Sequence, residues 1–156
     1  PRNIMDQAFK LLNAPYGWGG AQGEQDCSGF LQEVFSTVGI LLPRDSSAQA
    51  KVGVPLGQFE KNENDQKKLD ILSHQAIGGV TVIRLDNHIM LFLGMVEDKP
   101  YAIHATWGFR ERGWPQDRVC LIGRVAVTGL DLGKGSSRGS LLERIISIKN
   151  IIFPSD

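Results

Sequence analysis

Cys27 lies where a glycine-rich loop over 15–23 gives way to a helical pattern of apolar residues. The first N–H groups of a helix have no intrahelical partner, and together with the positive end of the helix dipole they stabilise a thiolate. The same N–H groups can stabilise the negative oxygen of a tetrahedral intermediate. The small neighbours Ser28 and Gly29 leave the approach to the thiol open. We therefore predict that Cys27 is a nucleophile and not an inert buried cysteine.

Two of the 3 histidines could act with such a thiol. His88 opens the apolar stretch 88–93 and His104 lies in the stretch 101–105, and strands there would pair and make the two histidines cross-strand neighbours. A thiol nucleophile needs a base, and the base needs a group that orients it. We predict that His88 is the base and that His104 orients it. His74 lies in a polar stretch and is predicted to be exposed.

Two other kinds of site are possible on residue type. Cys27, His88 and His104 could bind zinc, although none has a second ligand within the few positions typical of structural zinc fingers. Residues 129–136 resemble a phosphate-binding loop, but the spacing is too short and Gly135 stands where a hydroxyl residue is required. Zinc therefore stays a minor alternative, and Lys134 is interpreted as a solvated turn residue.

The composition predicts one domain over 1–156. Its 156 residues are 42% hydrophobic and 22% charged, and a chain of this length can bury a single core. The net charge of +0, without a basic stripe, argues against a nucleic-acid partner. The apolar stretches are too short to span a bilayer. Cys120, inside an apolar stretch, is predicted to be a core residue, with a Cys27–Cys120 disulfide as the minor alternative.

Three helices are predicted in the N-terminal part of the chain. Apolar spacing indicates helices over 3–12 and 27–38, and the polar residues at 45–47 can cap a short helix that ends near Lys51. The charged stretch 60–70 is predicted to be a solvated excursion.

The second half of the chain is predicted to be mostly strands. The predicted strands cover 80–83, 89–96, 101–104 and 119–127, with a hairpin turn at 97–99. Ser140 and Glu143 match a capping box ahead of the apolar stretch 141–148, which predicts an extra C-terminal helix. This order predicts an α+β domain whose helices pack on one side of an antiparallel sheet.

Five short motifs occur in a recognisable order. They are Tyr16-Gly17-Trp18-Gly19-Gly20, Asp26-Cys27-Ser28-Gly29-Phe30, Leu42-Pro43-Arg44-Asp45-Ser46, the stretch from His88 to Gly94, and Ile103-His104-Ala105. In this order the chain resembles the NlpC/P60 family of cell-wall cysteine peptidases. Each motif alone would be weak, but the set is specific.

The resemblance implies a papain-like α+β fold and a Cys-His-His triad, without a metal or organic cofactor. It carries over Cys27 as nucleophile, His88 as base and His104 as the third member. It also implies that Tyr16 is an oxyanion donor, that Asp26 and Ser28 bind the free N-terminal amine of a peptide, and that Trp18 belongs to the substrate-binding residues.

The substrate that the resemblance implies is a peptidoglycan stem peptide or muropeptide, cut between γ-D-glutamate and a diamino acid such as diaminopimelate. We expect the chain to be the catalytic domain of a longer protein with bacterial SH3-like domains. The substrate suggests the cell envelope, periplasmic or secreted, with cytoplasmic recycling as the alternative. A non-catalytic wall-binding module and a papain-like amidase or acyltransferase remain alternative functions.

The chain departs from the family pattern in two places. Gly78-Gly79-Val80-Thr81 and Asp86-Asn87 precede the histidine strand, where the family usually has a Pro-Gly-Asp-Leu run. We therefore expect a different rim near the base. The tail over 133–153, with its predicted helix, is absent from the minimal family domain.

Overall fold

The computed structural model describes residues 2–17, 25–60 and 63–151, within which a six-stranded antiparallel sheet is covered by helices. The strand order across the sheet is β1-β6-β2-β3-β4-β5. In chain order, the elements are α1 (Arg2–Lys10), α2 (Cys27–Ser36), α3 (Ser46–Gln49), β1 (Val54–Gln58), α4 (Asp65–His74), β2 (Thr81–Leu85), β3 (His88–Val96), β4 (Lys99–Glu111), β5 (Arg118–Gly129) and β6 (Ile145–Asn150). The predicted α+β class is confirmed, as are the three N-terminal helices. No helix in these described ranges is long and apolar enough to cross a membrane.

The sheet is buried on both faces. Successive residues of a strand point to opposite faces, and on β3 Ile89 and Leu91 pack in one core while Met90 and Phe92 pack in the other. The first core lies under α1 and α2 and includes Ile4, Ala8, Phe30, Leu31, Val34, Phe35, Val82, Ile103, Ala105 and Val125. The second includes Phe59, Leu72, Ile83, Leu85, Ala102, Leu130, Leu141, Ile145 and Ile148. Central strand β3 is therefore held from both sides.

The predicted hairpin between β3 and β4 is present. Val96 pairs with Lys99, and Glu97 and Asp98 form the two-residue turn with positive φ angles of 51° and 64°. The strand β4 continues to Glu111, well beyond the predicted end, and pairs with β5 along most of its length. This pairing places residues of β3, β4 and β5 side by side.

The prediction of a solvated excursion over 60–70 was wrong for its second half, which begins helix α4. Asn64 caps the helix by accepting a hydrogen bond from the Gln66 N–H, and Leu72 is buried against the sheet. Lys68 is 0% exposed: its ammonium group donates to the Glu143 carbonyl at 2.9 Å and lies near the Phe59 ring. A lysine stem thus fills a core position that the apolar pattern did not reveal. The helices consequently cover both faces of the sheet, not one as predicted.

The predicted C-terminal helix was also wrong. The capping box does form, since the Ser140 N–H donates to Glu143 Oε1 and the Glu143 N–H donates to Ser140 Oγ, both at 3.1 Å. Only a turn follows it, and 145–150 is strand β6, paired with both β1 and β2. β-branched isoleucines favour a strand. Because β6 pairs with a strand on each side, this segment forms a strand despite the local helix-capping signal.

Candidate active site

Cys27 is the first residue of α2, as predicted. Asp26 caps this helix with an extended backbone (φ −97°, ψ 174°), and its carboxylate accepts a hydrogen bond from the Gly29 N–H at 2.7 Å. The cap fixes where the helix begins and therefore where the thiol lies. The first-turn N–H groups are consequently near the sulfur.

The segment that carries α3 is fastened to this helix start. Arg44 donates from Nη2 to Asp26 Oδ2 at 2.6 Å and from Nη1 to Asp26 Oδ1 at 3.0 Å, which is a fork on one carboxylate. Arg44 Nη1 also lies 2.8 Å from Ser28 Oγ. Gln49 donates to the carbonyls of Ser28 at 2.8 Å and Pro43 at 2.7 Å. These contacts join two segments into one wall beside the thiol.

The environment of the thiol opposes its ionisation. Burial raises the pKa of Cys27, and the negative charge of Asp26 raises it further. The N–H groups of Ile89 and Ser28 act in the opposite direction, as predicted for a helix N-terminus, but do not outweigh burial. The resting group is therefore a neutral thiol and not the expected thiolate. The effect of Ile89 also shows that the sulfur lies at the start of β3, next to His88 in the sequence.

The structure brings the two predicted histidines into contact. His88 Nε2 lies 2.7 Å from His104 Nδ1, and His104 Nε2 lies 2.8 Å from Thr128 Oγ1. His104 is 1% exposed, whereas His88 is half-buried at the first position of β3. The three side chains come from β3, β4 and β5 in order and form a hydrogen-bonded row. Thr128 was not found from the sequence: it is the only hydroxyl residue of β5, but no local pattern shows that this strand brings it to His104.

Both imidazoles are neutral at neutral pH. Burial lowers the pKa of His88 to about 4, with a smaller contribution from the positive charge of Arg144. Burial, followed by the effect of His88, holds the pKa of His104 well below its ordinary value. Since Nε2 of His88 is engaged by His104, Nδ1 is the ring nitrogen left to exchange a proton with a thiol or substrate.

Two neighbouring cavities meet at this point. The cysteine cavity, about 560 Å³, is lined by Tyr16, Asp26, Cys27, Ser28, Arg44, Asp45, Ser46 and Asn87. The histidine cavity, about 420 Å³, is lined by Tyr16, Asp86, Asn87, His88, Thr106, Trp107, Arg138 and Arg144. Tyr16 and Asn87 line both cavities, so the cavities adjoin across these two side chains. A bound substrate could extend from one into the other.

Tyr16 lies at this boundary. Its N–H donates to the Gly123 carbonyl at 2.9 Å, and its ring centroid lies 6.3 Å from that of Trp107. Burial raises the pKa of Tyr16, and so does the electrostatic effect of an ionised group at Cys27 or Asp26. The phenol therefore stays protonated and can donate a hydrogen bond. Trp18, predicted to bind substrate, lies outside the described residues.

The remaining sequence candidates lie elsewhere. Both cysteines are free, so the alternative of a Cys27–Cys120 disulfide was wrong. The prediction that Cys120 is a core residue was wrong. Cys120 is only half-buried on β5, its sulfur lies 3.7 Å from Glu111 Oε2, and it belongs to neither core. His74 is exposed at the end of α4, as predicted. Over the described ranges, no group of three or more His, Cys, Asp and Glu could hold a metal ion.

A family model supplies the decisive comparison. The model described as the NlpC/P60 family matches residues 13–109, which is more than half of the chain. The chain belongs to the NlpC/P60 family. The matched range contains Cys27, His88 and His104 and ends before Thr128, Arg138 and Arg144.

Two curated proteins are similar to part of the chain. A γ-D-glutamyl-L-lysine dipeptidyl-peptidase of Bacillus subtilis is 38% identical over 95 residues, covering 59% of this chain and 29% of that protein. A probable endopeptidase of Corynebacterium glutamicum is 41% identical over 64 residues, covering 40% of this chain and 30% of that protein. The aligned part is thus less than a third of either relative.

Solved structures support the fold over nearly the whole chain. An NlpC/P60 endopeptidase from Photobacterium damselae subsp. piscicida superposes with a TM-score of 0.80 at 25% identity, covering 96% of this chain and 38% of that one. A P60 domain of a Mycobacterium avium subspecies paratuberculosis antigen gives a TM-score of 0.63 at 20% identity, covering 98% and 95%. The names of these relatives indicate peptidase activity for the family. A peptidoglycan hydrolase of Mycobacterium tuberculosis has a similar fold, with a TM-score of 0.59 at 20% identity.

Proposed function

We propose that this chain is a cysteine peptidase that hydrolyses the amide bond between γ-D-glutamate and a diamino acid in peptidoglycan stem peptides. The observation that carries the proposal is the row His88–His104–Thr128 beside a cysteine at the start of α2. The similarity to a γ-D-glutamyl-L-lysine dipeptidyl-peptidase supports this choice of bond.

In the first step the Cys27 sulfur attacks the γ-carbonyl carbon and His88 takes the thiol proton. Because burial disfavours both the thiolate and the imidazolium, proton transfer accompanies attack and does not precede it. The N–H groups at the start of α2 and the Tyr16 hydroxyl would donate to the developing oxyanion. His104 holds the His88 ring in place through Nε2.

The second half of the reaction reverses the proton transfer. His88 protonates the leaving amine as the C–N bond breaks, which leaves a γ-glutamyl thioester on Cys27. A water that gives its proton to His88 then attacks the thioester carbon. His88 returns this proton to the sulfur as the C–S bond breaks. The products are the γ-glutamyl carboxylate and the free thiol, so no external oxidant or cofactor takes part.

The N-terminal side of the substrate would occupy the cysteine cavity. Asp26 and Ser28 both line it and are the proposed partners of a peptide's free amine. The Gly29 N–H and the two hydrogen bonds from Arg44 already hold the Asp26 carboxylate in place. The ammonium group of a substrate would bind this positioned carboxylate. Such a contact favours substrates with an unblocked amine.

The wider setting follows from the substrate. We propose that the protein acts in the cell envelope, and that 1–156 is one catalytic domain of a longer protein that includes SH3-like domains. The chain matches less than a third of the length of the two curated relatives, which supports the proposal of a longer protein.

Hydrolysis of L-Ala-γ-D-Glu-meso-diaminopimelate, followed by mass spectrometry of the products, tests the proposal. Wild type and Cys120→Ala are expected to release free diaminopimelate, and Cys27→Ala is expected to release none. The matched alanine at the second cysteine controls for loss of a thiol as such. Hydrolysis by Cys27→Ala at the wild-type rate would overturn the role of Cys27. Stoichiometric binding without turnover by wild type would favour a wall-binding module, and a transferred acyl product would favour an acyltransferase.

A further inference from the structure

The histidine cavity contains two arginines that have no place in the reaction described above. Arg138 and Arg144 line its wall together with His88, Asp86 and Trp107. Both belong to the segment between β5 and β6, beyond the range 13–109 that matches the family. Arg144 is half-buried and Arg138 is exposed, so both can meet a ligand that enters from solvent.

The fold fixes Arg144 relative to the base. Leu85 pairs with His88 on one side and with Ile145, the residue after Arg144, on the other. Asp86 and Asn87 form the tight turn that joins β2 to β3, with Asn87 at a φ of 59°. The base, this turn and Arg144 therefore meet at one end of the neighbouring strands β6, β2 and β3.

The segment that carries the arginines is itself anchored. The Leu142 N–H donates to the Leu130 carbonyl at 2.9 Å, and the Leu141 N–H donates to the Leu132 carbonyl at 3.0 Å. Leu141 is buried in the core and the Ser140–Glu143 capping box closes the turn. Arg144 thus projects from a supported turn and not from a free loop.

The cavity carries an excess of positive charge. Two guanidinium groups and one carboxylate, that of Asp86, line the cavity. His88 adds no charge, because its imidazole is neutral. Burial is the main cause of the lowered pKa of Arg144 and of His88, but Arg138 adds to the first shift and Arg144 to the second, so each pair is within electrostatic reach. Among the ion pairs within 4.0 Å in the described parts of the chain, none includes Arg138 or Arg144. An anionic group in this cavity would therefore find two guanidinium groups that form no ion pair with the described residues.

We infer that Arg138 and Arg144 bind a carboxylate on the leaving side of the scissile bond, and that they select diaminopimelate over lysine. The inference rests on the proposed function. His88 protonates the leaving amine, so the diamino acid must lie beside His88, in the histidine cavity. Diaminopimelate differs from lysine by a carboxylate at the end of its side chain, and guanidinium groups bind carboxylates through paired hydrogen bonds.

The test compares stem peptides that share L-Ala-γ-D-Glu and a C-terminal amide. Their third residue is meso-diaminopimelate, diaminopimelate with its side-chain carboxyl amidated, or L-lysine. A hydrogen bond to a charged group contributes enough for wild type to prefer the free carboxylate by roughly tenfold or more in kcat/KM. A lysine peptide with a free C-terminal carboxyl tests whether that carboxylate is the one bound instead.

Arg144→Gln and Arg138→Gln are each expected to lower the ratio of kcat/KM on the diaminopimelate peptide to kcat/KM on the lysine peptide by about tenfold. Arg144→Lys should retain part of the preference. Arg118→Gln is the matched control, because Arg118 pairs with Glu111 on the exposed end of the β4–β5 hairpin and lines neither cavity. Arg138 is exposed, so its variant keeps the test valid if Arg144→Gln does not fold.

Each outcome separates the inference from the proposed function. Equal cleavage of all peptides by wild type, or equal losses on both substrates in the arginine variants, overturns the inference and leaves the peptidase intact. A gain only for the lysine peptide with the free C-terminus assigns the cavity to the other carboxylate and overturns the selection of diaminopimelate. Absence of cleavage at the γ-glutamyl bond in every peptide removes the proposed function, and the inference with it.

Discussion

The cysteine side and the histidine side of the site are built in different ways. Around Cys27 the contacts that set where α2 begins lie within a few residues, since Asp26 caps the helix by accepting from the Gly29 N–H; Arg44 and Gln49 then hold this start from a second segment. Around His88 the partners are distant in sequence: His104 on β4, Thr128 on β5 and Arg144 before β6. The nucleophile is positioned by one helix start, and the base by the register of the sheet.

The two sides also differ in charge. In the cysteine cavity Asp26 and Arg44 neutralise each other at 2.6 Å, whereas the histidine cavity has two guanidinium groups and one carboxylate. Burial nevertheless has the same consequence on both sides, because it favours the uncharged form of the thiol and of the imidazole. The resting pair is neutral, and the reaction creates the charge only when a substrate is present.

The largest expected effect comes from removing the base. His88→Gln keeps a polar side chain of similar length but cannot accept the thiol proton, so kcat/KM on the γ-D-glutamyl peptide should fall by roughly a hundredfold to ten-thousandfold. His74→Gln is the matched control, since His74 is exposed on α4. A loss of less than about tenfold in His88→Gln would mean that the histidine side does not supply the base.

A second, smaller effect concerns the neutral state of the cysteine side. Because its pKa is raised, Cys27 should be alkylated by iodoacetamide more slowly at pH 7 than a free cysteine, and its rate should still be rising where a free thiol levels off. Each pH unit below the pKa lowers the thiolate fraction about tenfold. Intact mass after alkylation, with Cys120→Ala to leave one thiol, measures the profile.

The same profile in His88→Gln separates a neutral pair from an ion pair. His88, with a pKa of about 4, carries no charge above pH 5 to 6 and should not alter the profile there. A plateau of fast alkylation below pH 7 in the protein with His88, lost in His88→Gln, would show a thiolate–imidazolium pair and contradict the neutral resting state.

This difference between the two sides explains what could be predicted from the sequence. The start of α2 was predictable because Asp26 and the apolar pattern after Cys27 are local signals. The contact of His88 with His104 followed from a short hairpin whose turn at Glu97 and Asp98 is also local. Thr128 and Arg144 reach the site only through strand order and register, which no local pattern encodes.

The fold shows the same limit. The signal at Ser140 and Glu143 is a true capping box, but the chain after it completes the sheet between β1 and β2. Likewise, α4 was hidden because Lys68 occupies a core position and finds its acceptor in Glu143, far along the chain. In both places tertiary partners override the local preference.

The smallest expected effect is at the far end of the histidine row. Thr128→Val keeps the shape of the side chain and removes the hydrogen bond to His104 Nε2, which should lower kcat by about fivefold, the equivalent of one ordinary hydrogen bond. Thr128 acts through His104 and His88 and touches no reacting atom, so KM should stay nearly constant and Thr128→Ser should restore kcat. The expected order of losses is therefore His88, then His104, then Thr128. A Thr128→Val variant with an unchanged kcat, or one that Thr128→Ser does not rescue, would show that the row ends at His104.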